Sequence, residues 1–106
     1  MKKTLLSFAL LLYIQFSSYA QSDVFTFVKA GDISSLKALK EKGFNFNAID
    51  NRGFSPLILA VYNQQEAAVL FLLEADVDVN LGDKSGNTAL MGAVFKGYDA
   101  LTKLLV

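Results

Sequence analysis

The sequence predicts an all-α protein, in which short helix-turn-helix units stack as repeats along a solenoid. The first observation is that segment 50–60 returns as segment 83–93, at an offset (83 minus 50) of 33 residues. Three pairs of identical residues keep this offset: Gly53 and Gly86, Leu57 and Leu90, Ala60 and Ala93. The second observation is that the first copy is followed by another apolar segment, 66–75, whose apolar residues have helical spacing. A fixed period of this size is typical of proteins made of stacked repeats.

The amino-terminal segment 1–20 has the pattern of a secretory signal peptide. Lys2 and Lys3 give a charged start, 5–14 is almost wholly apolar, and small residues precede a cleavage site after Ala20. The apolar run is shorter than the roughly 20 residues that span a bilayer, so we expect cleavage, with an uncleaved membrane anchor as the alternative. No Cys follows the site to carry a lipid. We therefore expect an exported protein, either periplasmic in a bacterial envelope or secreted.

Charge and composition exclude several classes of function for the rest of the chain. Without residues 1–20, eight basic residues stand against ten acidic ones, and a net charge of −2 gives no electrostatic basis for binding nucleic acid. The chain has no Cys and no His, which excludes disulfides, Ser-His-Asp and Cys-His sites, and the usual zinc sites. The 86 residues left of 106 allow one domain, held together by burial alone.

Aligned at the 33-residue offset, the chain forms three rows: 21–47, 48–80 and 81–106. Two columns of the alignment are apolar throughout: Phe27, Ala60 and Ala93, and Leu39, Leu72 and Leu105. We expect one repeat per row, with the first row as an amino-terminal cap. The third row stops inside its second helix, where apolar residues have no following row to cover them. Solenoids normally end in a polar cap, so we expect this row to be truncated.

Row two shows how each repeat is built. Ser55 is a good helix cap and Pro56 is tolerated in a first turn, so a short helix is predicted over 56–63. A turn at 64–65 leads to a second helix over 66–75. Its expected apolar stripe is formed by Ala67, Val69, Leu70, Leu72 and Leu73. Thr88 has the place of Ser55 in row three.

The ends of the second helices and the links between rows are rich in turn-forming residues. A left-handed residue at Gly43 is expected to end the second helix of row one. Asp76 is the equivalent residue of row two, and Asp also tolerates the left-handed conformation. Segments 47–53 and 80–86 are rich in Asn, Asp and Gly, which favours a turn or hairpin that projects from the helices.

The motifs of rows two and three resemble the ankyrin repeat. Row two reads Asp50-x-x-Gly53-x-Ser55-Pro56-Leu57-x-x-Ala60, then Val69-x-x-Leu72-Leu73, then Asp78-Val79-Asn80. Row three resembles it through Asp83, Gly86, Thr88, Leu90, Ala93, Leu104 and Leu105, and row one through Val24, Phe27, Gly31, Leu36, Leu39, Gly43 and Asn47. The resemblance covers essentially all of the chain after residue 20. It implies an all-α ankyrin-repeat solenoid of about two and a half to three repeats, with helix-turn-helix units joined by hairpin-like turns.

The sequence departs from the family pattern at four positions. Ile58 and Met91 stand where the family usually has a His that ties down the hairpin, so looser hairpins are expected. Gln64 replaces a turn Gly, and Ala89 replaces a Pro.

Acidic residues offer two weak alternatives to a binding function. Segment 76–83 places oxygen-bearing side chains at alternate positions, but Leu81 and Asn87 stand where a calcium loop needs Gly and Glu. Asp50 and Asp83 could form a carboxylate pair, yet each is better interpreted as bonding the backbone of its own turn. No phosphate-binding loop or nucleophile elbow is present, so we expect no enzyme activity, cofactor or metal.

The resemblance implies a binding surface on the hairpin tips and the exposed side of the first helices. Carried over residue by residue, it predicts these protein-binding residues: Asn51, Arg52, Phe54, Leu59, Tyr62, Asn63, Lys84, Ser85, Asn87, Phe95 and Lys96. Large side chains that lose water on binding are the strongest anchors. The alternative for Leu59, Tyr62 and Phe95 is burial between rows, and for Arg52 and Lys84 an ordinary solvated tip.

The function predicted from these observations is that of a non-catalytic adaptor in the cell envelope. We expect it to bind another protein, of unknown identity, and neither nucleic acid nor a small-molecule substrate. A protective partner for one exported protein is a variant of the same hypothesis. The alternatives are a structural segment that stacks on further repeats or on its own copy, and an enzyme or metal-binding module.

Overall fold

The computed structural model describes residues 23–106, and over this range the chain forms six helices and no strand. In chain order these are α1 (23–30), α2 (Ile33–Glu41), α3 (Pro56–Tyr62), α4 (Glu66–Glu74), α5 (Ala89–Lys96) and α6 (Asp99–Leu105). The predicted all-α solenoid is confirmed, with one helix pair in each of the three rows. The predicted signal peptide, 1–20, lies outside the described residues. None of the helices in 23–106 has the length and apolar character needed to cross a membrane.

The helices stack in two layers. Helix α3 packs on α4 within its own repeat and on α5 of the next repeat, while α4 also packs on α2 and α6. The first helices α3 and α5 therefore belong to one layer, and the second helices α2, α4 and α6 to the other. Because each helix is only seven to nine residues long, none could persist in water without this packing.

Side-chain caps start the helices where the sequence predicts them. The Ser55 hydroxyl accepts a hydrogen bond from the amide of Ile58 (3.2 Å), directly before Pro56 in the first turn of α3. The Thr88 hydroxyl accepts one from the amide of Met91 (3.3 Å) at the start of α5. These bonds satisfy amides that the helix itself leaves unpaired.

Left-handed residues connect the two helices of each repeat. Gly31 and Gly97 hold this place in the outer repeats, and Gln64 holds it in the middle repeat with φ +53°. A side chain makes this conformation costly by about 1–2 kcal/mol. At the exposed Gln64, backbone hydrogen bonds hold the turn: the Gln64 amide donates to the carbonyl of Val61 and the Gln65 amide to that of Ala60, both at 2.9 Å. At the ends of α2 and α4, Gly43 and Asp76 are also left-handed, as predicted.

The core is centred on the middle repeat. Ile58 and Val61 of α3 and Val69 and Leu72 of α4 are fully buried, because α3 packs on α4 and α5, and α4 packs on α2, α3 and α6. The predicted stripe of α4 is wrong at two positions, since both Ala67 and Leu70 are exposed. Ala68 and Phe71 are buried instead. The equivalents of Leu70 in the outer repeats are Lys37 and Lys103, which marks this column as the outer face of the second layer.

Candidate protein-binding surface

The loop before α3 is a tight turn built around Asp50. Its Oδ1 accepts hydrogen bonds from the amides of Arg52 and Phe54, both at 2.9 Å. The Asp50 amide also donates to the carbonyl of Phe54 (3.0 Å), which closes the base of the hairpin. The carboxylate therefore holds Arg52 at the tip.

The loop before α5 repeats this arrangement one period later. Asp83 Oδ1 accepts from the amides of Ser85 and Asn87, both at 2.9 Å, and the Asp83 amide donates to the carbonyl of Asn87 at 2.9 Å. The interpretation of Asp50 and Asp83 as turn-forming residues is confirmed. Asp78 likewise accepts from the amide of Asn80 (3.0 Å), and the described residues contain no cluster of three acidic, His or Cys side chains that could hold a metal ion.

Side chains of one repeat bind the backbone of a neighbouring repeat and fix the register of the stack. The Asp78 amide donates to Asn47 Oδ1 (2.8 Å), and Lys84 Nζ donates to the carbonyl of Asn51 (3.4 Å). The aliphatic part of Lys84 lies over Gly53, where an added Cβ would come within 2.7 Å of the lysine Cγ. The two hairpin tips are thus neighbours in space.

The structure places ten of the eleven predicted binding residues at least partly in solvent. Seven are exposed (Asn51, Arg52, Asn63, Lys84, Ser85, Phe95 and Lys96) and three are partly buried (Phe54, Tyr62 and Asn87). Their role in binding stays a prediction.

The placement of Leu59 on the exposed side is wrong, because its side chain is only 3 % exposed. Helix α3 packs on α4 and on α5, and every residue from 56 to 61 is buried. Leu59 therefore belongs to the core, as the alternative of burial between rows anticipated. Phe95 is the opposite case, since it is 80 % exposed.

Five of the predicted residues form one continuous surface across the second and third repeats. The guanidinium carbon of Arg52 lies 5.1 Å from the centre of the Phe54 ring. The Phe54 and Tyr62 rings meet edge to face at 5.9 Å, and Lys96 Nζ lies 6.0 Å from the centre of the Tyr62 ring. Lys84, bound to the hairpin that carries Arg52, completes the group. We call Arg52, Phe54, Tyr62, Lys84 and Lys96 the cationic–aromatic patch.

Gly92, which shapes this surface, is not among the residues predicted from the sequence. Gly92 lies inside α5 and is buried, and an added Cβ there would come within 2.5 Å of Tyr62 Cε1. The absent side chain therefore makes the space that the Tyr62 ring occupies. A signal was present in the sequence, because a Gly inside a helical pattern usually has a packing reason. Gly92 also stands one period after Leu59, so its column is not uniformly apolar.

A hollow of about 260 Å³ lies between the turns of the second and third repeats. Its lining includes Glu66 and Asp99, which are both exposed. Among the described residues, neither carboxylate forms a hydrogen bond or an ion pair with another side chain.

The fold agrees with the outcome of comparisons with known proteins. A family model of ankyrin repeats, in three copies, matches residues 24–106. The chain belongs to the ankyrin-repeat family. Ankyrin repeats are in general protein–protein interaction modules, and the family is typically non-enzymatic.

A curated relative carries the same repeat. The ankyrin repeat and SAM domain-containing protein 6 of Rattus norvegicus is 33 % identical over 86 residues, which are 79 % of this chain and 10 % of the relative. This ankyrin-repeat chain thus spans about a tenth of the length of that relative.

Proposed function

We propose that this ankyrin-repeat protein is a non-catalytic adaptor, which binds another protein through the cationic–aromatic patch. The observation that carries the proposal is the continuity of the patch. Residues 44 positions apart in sequence, Arg52 and Lys96, are connected through two rings on one surface of two repeats. Large aromatic and Arg side chains of this kind dominate the binding energy of protein interfaces.

A capture experiment tests the adaptor proposal. The full chain is immobilised and exposed to an extract of the source cells, beside a patch variant with Arg52, Phe54 and Tyr62 changed to Ala. A matched control changes Lys37 and Lys103, on the outer face of the second helices, to Ala. We expect a protein that the wild type and the control retain and the patch variant loses, with circular dichroism showing that all three fold. Equal retention by all three would contradict the proposed surface.

The second candidate function is stacking on a copy of the same chain, and the end surface of the third repeat favours it. Ile58 and Val61 are fully buried in the middle repeat, but their equivalents Met91 and Val94 are 46 % and 58 % exposed. In the middle repeat the same face of the first helix is covered by the next repeat. Retention of a second copy of the chain, lost when Val94 is changed to Lys, would favour stacking over the adaptor role.

We also propose that the protein acts in the cell envelope, in the periplasm or as a secreted protein. The support is the charged start, apolar run and small residues of segment 1–20. Fractionation of cells that produce the full chain with a carboxyl-terminal tag tests this. We expect a product shortened at Ala20 in the periplasm or medium, and a full-length product in the cytosol would contradict it.

A further inference from the structure

The basic residues of the patch are not neutralised by neighbouring acids. Lys96 and Arg52 contact aromatic rings, and Lys84 contacts a backbone carbonyl. Within residues 23–106, no carboxylate pairs with any of the three. All three side chains are exposed, so their positive charges face the solvent.

The carboxylates nearest in the chain are engaged with the backbone. Asp50 and Asp83 lie at the bases of the hairpins whose tips carry Arg52 and Lys84. Each of these carboxylates accepts two amide hydrogen bonds from its own turn. They hold the basic residues in position and do not cover them.

The patch is positively charged, whereas residues 23–106 as a whole carry a small negative charge. Residues 23–106 contain eight basic and ten acidic side chains, and three of the basic ones lie in the patch. The remaining surface therefore has five basic and ten acidic side chains. Two of these acids, Asp50 and Asp83, lie at the bases of the hairpins and are bonded to the backbone. A long polyanion such as a nucleic acid would extend beyond the patch over this negative remainder, whereas a short acidic segment can be held by the patch alone.

We propose that the cationic–aromatic patch binds an acidic segment of its partner protein, an inference that rests on the proposed function. Carboxylates of the segment pair with the guanidinium of Arg52 and with the ammonium groups of Lys84 and Lys96. Arg can hold a carboxylate with two parallel hydrogen bonds, which adds orientation to attraction. The Phe54 and Tyr62 rings between these charges give the segment a firm apolar surface to pack on. Such charge complementarity chiefly determines which partner binds and how fast.

The test measures binding of labelled synthetic peptides to the full chain by fluorescence anisotropy. One peptide contains Asp, Glu and aromatic residues, a second has Lys in place of every acid, and a third has Gln. We expect binding of the acidic peptide alone, with an affinity that falls as salt is raised. Preference for the Gln or Lys peptide would overturn the inference, and so would tighter binding of a labelled single-stranded oligonucleotide.

Charge-reversal variants place the acidic peptide on the patch. We expect the combined variant Arg52→Glu, Lys84→Glu, Lys96→Glu to bind it at least about tenfold more weakly. The matched control, Lys37→Glu with Lys103→Glu, carries two reversals outside the patch and should bind within about twofold of the wild type. If the triple Glu variant does not fold, the triple Gln variant replaces it, with the same direction expected. Equal weakening in the control and the patch variant would overturn the inference.

The two proposals fail in different ways. If the captured partner needs Phe54 and Tyr62 but binds the charge-reversal variant as well as the wild type, the adaptor function stands and the inference of an acidic segment is wrong. If neither a captured protein nor the acidic peptide depends on the patch, both proposals are wrong.

Discussion

Gly92 shows how a single residue decides the geometry of the binding surface. It is buried in the interior of α5, a place where Gly normally weakens a helix relative to Ala by about 1 kcal/mol. The structure supplies the reason, because the Tyr62 ring occupies the space of the missing side chain. The same ring contacts Phe54 and Lys96. The absence of a side chain at Gly92 thus positions a ring of the neighbouring repeat.

We therefore expect Gly92→Ala to destabilise the protein although helix propensity alone favours Ala. The gain of about 1 kcal/mol in propensity is opposed by about 1–3 kcal/mol for forcing a methyl group against Tyr62. The net loss should be on the order of 1 kcal/mol in the free energy of unfolding, measured by urea denaturation. In a Tyr62→Ala background the same change should become stabilising. A gain of the same size in both backgrounds would show that the ring does not impose the glycine.

Among the helices, α3 and α5 begin in the same way, but the capping bond of α3 is buried and that of α5 is exposed. Ser55 and Thr88 both cap the first helix of a repeat through a hydroxyl. The Ser55 bond is buried and the Thr88 bond is exposed. An amide that loses its capping hydroxyl can bond to water only where water reaches it. Loss of the same kind of cap should therefore cost more stability at the buried site than at the exposed one.

Removing these two hydroxyls should therefore have different effects. We expect Ser55→Ala to lower the free energy of unfolding by about 1–2 kcal/mol, because the Ile58 amide is left unpaired in the interior. Thr88→Ala should lower it by no more than about 1 kcal/mol, because water can replace the cap of Met91. Chemical denaturation of the two variants side by side measures both values. Losses of equal size, or a larger loss for Thr88→Ala, would contradict the argument from burial.

At the scale of the whole molecule, the three repeats are similar in sequence but unequal in burial. The middle repeat packs on both neighbours, whereas the third packs on one neighbour within the described residues. Leu72 is fully buried, while its equivalent Leu105 is only partly buried. In a stack where each repeat contacts only its neighbours, stability is a sum of repeat and interface terms. The outer helices should therefore open more readily than the middle ones.

This asymmetry predicts different outcomes for one substitution at two equivalent positions. Leu72→Ala should lower the free energy of unfolding by about 2–5 kcal/mol and reduce amide protection in all three repeats. Leu105→Ala should cost less, and the loss of protection should be confined to α6 and its contacts. Hydrogen exchange of the two variants, followed residue by residue, measures both effects. Loss of protection throughout the chain in the Leu105 variant would show that the stack unfolds as one unit.

The repeat period, the helices and the turns can be predicted from the amino-acid sequence alone. The start of α3 at Pro56, its end within one residue of the predicted position, and the left-handed places of Gly43 and Asp76 were all predictable. Capping, turn preference and helical spacing act between residues that are close in sequence, so they can be seen in the sequence itself. The turns held by Asp50 and Asp83 belong to the same class.

The division of the apolar residues between core and surface depends instead on how the repeats pack together. Leu59 is buried and Leu70 is exposed, although both lie on short helices that are apolar nearly all round. Such helices have no polar face to orient them, so the neighbouring repeats decide. The cationic–aromatic patch also depends on the packing between repeats, because Tyr62 and Lys96 come together where α5 packs closely on α3 at Gly92. Contacts between repeats depend on how side chains fill the space between two helices, and a repeat period does not specify that.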